Sequence, residues 1–327
     1  MENSFGDFEE LTPEVIFEAI EAVTQHELEA LLLPLPSYIN RVYEVQNIEG
    51  QHLIAKFYRP GRWTLKAIQQ EHRFIKECAD AEIPVVAPLK LSNQSTLAKI
   101  ENYLFALYPK KQGRDLNLED PEIWHRLGSL LGRVHNVGKQ QKADQRLRLH
   151  PELSFQQDVK KLLASPVLDS PWRERFESVC TSIFLLIHRL FDEFPVHRLH
   201  GDCHSGNILS RDDQGLLLID FDDMCIGPAV QDIWLLMPGT QEDSREFLKS
   251  FLSGYEDFCP FNHQELVLIE PLRAMRMVYF LSWCARQVED PGFFQRFPQW
   301  QDNNFWAREI EDLFEQKERI EKALGYY

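Results

Sequence analysis

The chain contains no run of 18 apolar residues, so no segment of it reads as a membrane span. It has neither G-x-x-x-x-G-K-[ST] nor G-x-G-x-x-G, which removes Walker-type ATPases and dinucleotide folds from consideration. The first residues, MENSFGDFEE, lack the basic-then-apolar plan of a secretory signal. Cysteine is sparse: Cys78, Cys180, Cys203, Cys225, Cys259 and Cys284 are scattered and form no C-x-x-C pair. Reduced, mostly buried thiols in a cytoplasmic protein are therefore the expectation. Positive charge is also short, with 35 Lys and Arg against 51 Asp and Glu, a net charge of −16. That balance argues against nucleic acid and anionic membranes as partners. A nucleotide remains admissible where a metal ion and a few placed cations offset its phosphates.

What is present suits a globular chain with two lobes. At 327 residues it exceeds the size at which one hydrophobic core stops growing. Thr12, Pro13 and Glu14 form a cap, a first-turn proline and a dipole-matched acid, with apolar residues following at helical spacing until PLPSY at 34–38. Val42, Val45 and Ile48, the turn Glu49-Gly50 and then HLIAKFY read as a hairpin. Thr64 caps a helix through Ala79, and IPVVAPL and YLFALYP read as two further strands. Asp120-Pro121-Glu122 repeats the cap signature, and helical periodicity dominates from there onward. The expectation is an α+β chain: a lobe at 1–111 with a small antiparallel sheet, and a larger, mainly helical lobe at 112–327, with a cleft between.

Residues 198–223, RLHGDCHSGNILSRDDQGLLLIDFDD, gather two His, one Cys and six Asp around two apolar runs. The polar turn SRDDQG folds Ile208 and Leu209 back on residues 216–219 as a short hairpin. Asn207 and Asp220 then stand at neighbouring strand ends, facing one place. Oxygen ligands converging in this way suit Mg²⁺, which takes a few protein oxygens and completes its shell with phosphate and water. Asp202, five residues before Asn207, would lie on the loop beside the metal, positioned to orient a hydroxyl and accept its proton. A zinc site from His197, His200, Cys203 and His204 is the competing reading. Their spacing straddles a Gly-Asp turn and fits neither C-x-x-C nor a helical pair.

HGDCHSGN followed by IDFDD resembles the catalytic loop and metal-binding segment of the protein-kinase-like fold, in its aminoglycoside phosphotransferase and choline kinase branch. With PSYINRVYEV, AKFYRPGRWT and QQEHRFIKE, nearly the whole chain is similar to the bacterial stress response kinase A family. The resemblance implies a bilobal kinase fold with ATP as co-substrate. It implies Asp202 and Asp220 as catalytic carboxylates, Asn207 and Asp220 as Mg²⁺ ligands, and Ser37, Lys56 and Glu71 as nucleotide-binding residues, with Glu71 pairing Lys56. Residues 104–109 would receive adenine, and Asp232 would steady the catalytic loop. One departure is plain: the phosphate-covering turn, LPSYINRVYEV, has no glycine, and Asn40 or Arg41 would supply polar contacts in its place. Only eleven residues separate Asp220 from Asp232, which leaves no room for a long activation segment.

The activity implied is phosphoryl transfer to a Ser or Thr hydroxyl of a protein. A small hydroxyl-bearing acceptor (an aminoglycoside, choline or homoserine) is the alternative, and a nucleotide-binding module without turnover is the second. A monomer is the expected state.

Overall fold

The structure is a computed structural model and describes residues 6–212 and 214–326. Helix α1, Pro13–Thr24, starts where the cap predicts: the Thr12 hydroxyl accepts from the Val15 amide, and Pro13 needs no donor there. It ends earlier than PLPSY, at Gln25, whose φ of 60° is left-handed. The chain then makes a strand that the sequence reading took for helix, β1, Leu28–Pro34. Its LEALLLP pattern fits either element, and pairing with β2, Arg41–Asn47, decides it. The hairpin continues into β3, His52–Phe57, in register Val42 to Lys56 and Val45 to Leu53. Helix α2, Leu65–Asp80, follows its Thr64 cap.

IPVVAPL is not a strand of the sheet. Pro84 and Pro88 deny it two amide donors; Val85 bridges to Leu218, and the Leu89 amide donates to the Leu107 carbonyl at 2.7 Å. The short β4, Ala98–Ile100, takes its place beside β5, Tyr103–Pro109. The antiparallel sheet therefore runs β1-β2-β3-β5-β4. Its own core joins α1 through Ile16, Ile20, Val45, Phe57 and Phe105.

The larger lobe begins with β6, Arg114–Asp115, and α3, Pro121–Gly138, whose Asp120 cap accepts from the Glu122 amide. Then come α4, Gln156–Ala164, and α5, Ser170–Ile187. Short strands carry the motif region: β7, His197–Leu199; β8, Ile208–Arg211; β9, Gly215–Leu218; and β10, Cys225–Gly227. Helices α6, Gln231–Trp234, α7, Arg245–Glu256, α8, Ile269–Ala285, α9, Phe293–Arg296, and α10, Phe305–Ala323, complete it. Helices α3 and α7 cross so closely that a Cβ on Gly128 would lie 1.8 Å from the Phe251 carbonyl oxygen. All six cysteines are buried and free. Among the described residues no helix is long and apolar enough to cross a membrane.

Candidate active site

The hairpin of β8 and β9 pairs Ile208 with Leu218 and Leu209 with Leu217, burying the apolar run that the sequence marks. The Ile219 amide then donates to the Asn207 carbonyl at 2.9 Å, so residues 207 and 220 flank one hairpin base. Asp213, in the intervening turn, lies outside the described residues. The Asn207 side-chain nitrogen donates to the Asp202 carbonyl at 2.9 Å, closing the loop between them. That spends the amide nitrogen and leaves Asn207 Oδ1 as the atom available to a cation. Asp220 stands in left-handed backbone, φ 59°, which aspartate tolerates better than most residues.

The loop before Asn207 is fixed from beneath. The fully buried Asp232 carboxylate accepts from the His200 and Gly201 amides, both at 2.8 Å, and from His135 Nε2 at 3.0 Å. Burial works against its charge, but the His135 bond and the surrounding donors outweigh it and hold its pKa below the usual carboxylate range. Gly201, at φ 87°, sits where a Cβ would lie 2.0 Å from the Asp223 carbonyl oxygen. His200 Nε2 donates to the Ile219 carbonyl at 2.8 Å, and His204 Nδ1 accepts from the Gly206 amide. Burial raises the pKa of the Cys203 thiol well above its ordinary value, which works against the thiolate a zinc site would need. Asp202 itself receives Arg276 Nη2 on Oδ1 at 2.8 Å.

A cavity of about 320 Å³ lies between the sheet and this motif. Ser37, Val42, Ile54, Lys56 and Tyr108 line it from the small lobe, and Leu209, Ile219 and Asp220 from the large one. Three of the expected residues, Ser37, Lys56 and Asp220, thus share one recess with the end of YLFALYP.

Lys56 crosses the cleft to Asp220 Oδ1 at 2.7 Å and stands 3.4 Å from Asp222 Oδ1. Burial opposes its charge; Asp220, Asp222 and, more weakly, Glu71 outweigh it and raise its pKa well above the ordinary lysine value. Glu71 has Arg146, not the expected Lys56, as its nearest cation. It is fully buried, and Arg146 Nη1 approaches it at 3.6 Å, while the ion pairs of Lys56 run to Asp220 and Asp222. Burial pushes the Glu71 carboxyl up to about 8, and Lys56 and Arg146 offset this only in part.

Three arginines escaped the sequence reading. Arg62, between β3 and α2, binds Asp222 and, at 2.7 Å, Asp223. Arg146 donates to the Asp222 and Met224 carbonyls and stacks 3.9 Å above the Trp63 ring. Arg276 projects from α8 to Asp202. Asn40, in the glycine-free turn, donates to Asp222 Oδ2 at 3.1 Å and accepts the Arg59 amide. Arg41 instead bonds the Tyr38 and Asn40 carbonyls. The donor set at the cleft mouth, Asn207 Oδ1 with the half-exposed Asp220 carboxylate, is all hard oxygen, and it fits Mg²⁺. Among the described residues no group of three or more His, Cys, Asp or Glu is arranged to hold a metal.

The phosphotransferase enzyme family matches residues 32–268. Stress response kinase A of Escherichia coli is 36% identical, over 98% of this chain and 97% of its own length. Serine/threonine protein kinase RdoA of Salmonella typhimurium is 34% identical, over 96% of this chain and 95% of its own. Among solved structures, amicoumacin kinase hAmiN in complex with AMP-PNP, Ca²⁺ and Ami has a TM-score of 0.73 at 19% identity, covering 95% of this chain and 93% of that one. Choline kinase LicA from Streptococcus pneumoniae has a TM-score of 0.64 at 17% identity, covering 94% and 98%. At such identities the structures speak for the fold, while the sequence relatives speak for the family. The chain belongs to the phosphotransferase enzyme family, in its stress response kinase A branch, and is a kinase of bilobal α+β fold.

Proposed function

We propose that this kinase moves the γ-phosphoryl group of ATP to a Ser or Thr hydroxyl of a protein, as part of a bacterial stress response. One observation carries the reading: Lys56 and Asp220 line a cleft cavity whose floor is the hairpin that also positions Asn207 and, through it, Asp202. Asn207 Oδ1 and Asp220 would hold Mg²⁺, which supplies positive charge to the transferring phosphates. Lys56, now on Asp220, gives the nucleotide a cation from the small lobe, and Ser37 gives it a polar contact at the turn. Glu71, through Arg146, holds the metal segment in place instead of pairing with Lys56. Asp202, aimed by Arg276, orients the acceptor hydroxyl. As the new O–P bond forms and the bridging P–O bond breaks, ADP departs and the hydroxyl proton passes to Asp202.

The protein acceptor is favoured by the 34% identical relative named as a serine/threonine protein kinase. The small-molecule reading has its own support, since the fold neighbours include an amicoumacin kinase and a choline kinase. Labelled ATP offered with a generic protein acceptor and with a panel of small alcohols separates the two. Label found only in small molecules rejects the protein reading. Asp202→Ala is expected to lower turnover by about 10²–10⁴ while ATP binding persists, and near-normal turnover would remove Asp202 from this role. A Mg²⁺-dependent thermal shift with ATP, with no transfer to any acceptor, would point to a binding module instead.

A further inference from the structure

The phosphate-covering turn, residues 36–41, is held from the large lobe. Its Ser37 lines the cleft cavity. The next residue, Tyr38, sets its ring edge-on against Phe297 at 5.4 Å and against Trp283 at 5.7 Å, both of the large lobe. Its hydroxyl is buried without a hydrogen-bond partner, so the ring makes this tie. Arg59, just after β3, makes a second, and its side chain is almost wholly buried. Nε donates to the Ile39 carbonyl at 2.8 Å, Nη2 to the Tyr38 carbonyl at 3.4 Å, and Nη1 to Asp290 Oδ2 at 2.6 Å. One guanidinium therefore grips the backbone of the turn on one side and a large-lobe carboxylate on the other.

Asp290 lies between α8 and α9, where its amide donates to the Gln287 carbonyl at 2.9 Å and its own carbonyl accepts the Phe293 amide at 3.0 Å. Its backbone is thus fixed at both groups before the carboxylate meets Arg59. The other links across the cleft are of a different kind. Lys56 and Asp220 both line the cavity and are committed to the nucleotide in the reading above, so phosphates and a cation compete for their bond. Tyr38, Arg59 and Asp290 stand outside that competition, because none is among the residues lining the cavity. Glycine lets a turn bring its backbone close to phosphate. This turn has none, and its distance from a nucleotide is set by where the two ties place it.

We infer that Tyr38, and Asp290 acting through Arg59, are positioning residues for the phosphates of the nucleotide: they fix the glycine-free turn over the phosphate end of the cleft. The inference rests on the ATP reading above and adds the large-lobe residues on which a small-lobe turn depends. Its consequence is selective. Loosening either tie weakens the hold on phosphates and leaves the seat of the adenine, at residues 104–109, as it was.

The test compares the full native chain with Asp290→Ala, Asp290→Asn and Tyr38→Leu. Calorimetric titration in the presence of Mg²⁺ gives the Kd of a non-hydrolysable ATP analogue, of ADP, and of adenosine, which carries no phosphate. Asp290→Ala and Tyr38→Leu are expected to bind the analogue and ADP about tenfold or more weakly, and adenosine within about twofold of the native chain. Asp290→Asn keeps an oxygen for Arg59 and should fall between the native chain and Asp290→Ala; it keeps the test open where the alanine variant fails to fold. The KM for ATP should rise in step with these Kd values, and Asp290→Glu should recover part of the loss. A merely structural role would lower the fraction of sites titrated and leave each Kd unmoved. Unmoved Kd values for the analogue and ADP, or an equal weakening of adenosine, overturn the inference and spare the nucleotide reading. A native chain that binds neither the analogue nor ADP sinks the nucleotide reading, and this inference with it.

Discussion

Asp232→Asn isolates how much the catalytic loop owes to one buried carboxylate. In the native chain Oδ2 accepts from the His200 amide and His135 Nε2, and Oδ1 from the Gly201 amide. Asparagine can keep two of these bonds with its carbonyl oxygen. Its NH₂ then confronts the Gly201 N–H, donor against donor, at a fully buried position. The stranded amide costs about 1–3 kcal/mol. Removing the charge also weakens the two surviving bonds, since ionised acceptors bind about twice as strongly as neutral ones. The sum is about 3–5 kcal/mol, the usual penalty for breaking a buried charged network from one side. Gly201 is the residue most directly released, and Asp202 follows it, so turnover should fall by about 100-fold, as for a displacement near 1 Å. Denaturant unfolding measures the first quantity and steady-state kinetics at saturating ATP the second. A loss of stability under about 1 kcal/mol, together with unchanged kcat, would refute the account of Asp232 as the anchor of this loop.

Three other perturbations follow from the same geometry. Glu71, lifted from 4.5 to about 8, keeps a proton in the native state that the unfolded chain has released, so stability falls as pH rises through that window. Glu71→Gln should flatten that fall, by up to about 5 kcal/mol in nucleotide-free, metal-free protein; equal pH slopes for the two proteins in denaturant unfolding would contradict it. Gly201→Ala places a Cβ 2.0 Å from the Asp223 carbonyl oxygen at φ 87°, and should cost more than about 2 kcal/mol and most of the turnover; a fully active, equally stable variant would show that the loop has slack. Arg146→Met removes the donor to the Asp222 and Met224 carbonyls and should raise the Mg²⁺ concentration needed for half-maximal rate; an unaltered Mg²⁺ curve would separate Arg146 from the metal segment.

The legible parts of this chain were those whose cause is local. Thr12, Thr64 and Asp120 announce their helices because a cap and the amide it satisfies lie within three residues. The hairpin of β8 and β9 is readable because two apolar runs flank a polar turn. Leu28–Pro34 resisted, since a run of leucines suits helix and strand alike until a partner strand exists. The arginines resisted more completely. Arg62 meets Asp222 across 160 positions and Arg276 meets Asp202 across 74, distances over which no periodicity carries information. A faint sign was available for Arg276: α8 is apolar along much of its length, yet carries Arg273 and Arg276 within its middle turns. A cation set in an apolar helix implies an anion facing it, and here the anion is the partly exposed Asp202. The approach of Arg146 to Glu71 was hidden for a related reason, because Arg146 lies in a loop with no pattern of its own.

That approach bears on how the two lobes move. Helix α2 belongs to the small lobe by sequence, but Phe74, Ile75 and Cys78 sit in the hydrophobic core of the large lobe. Phe74 meets Phe221, next to Asp220, edge-on at 5.8 Å, and Arg198 lies 4.6 Å over its ring. Glu77 pairs with the same Arg198 at 2.6 Å, and Gln70 binds Asp144 and the Gln145 amide. Swinging α2 away would withdraw Phe74 from that core, at about 3–5 kcal/mol by the scale of Phe truncations, before any ion pair is counted. The sheet is tied across the cleft by polar links: Lys56 to Asp220, Asn40 to Asp222 and Arg59 to Asp290. Closure on a nucleotide is therefore cheaper as a rocking of the sheet over a fixed α2 than as a movement of the helix.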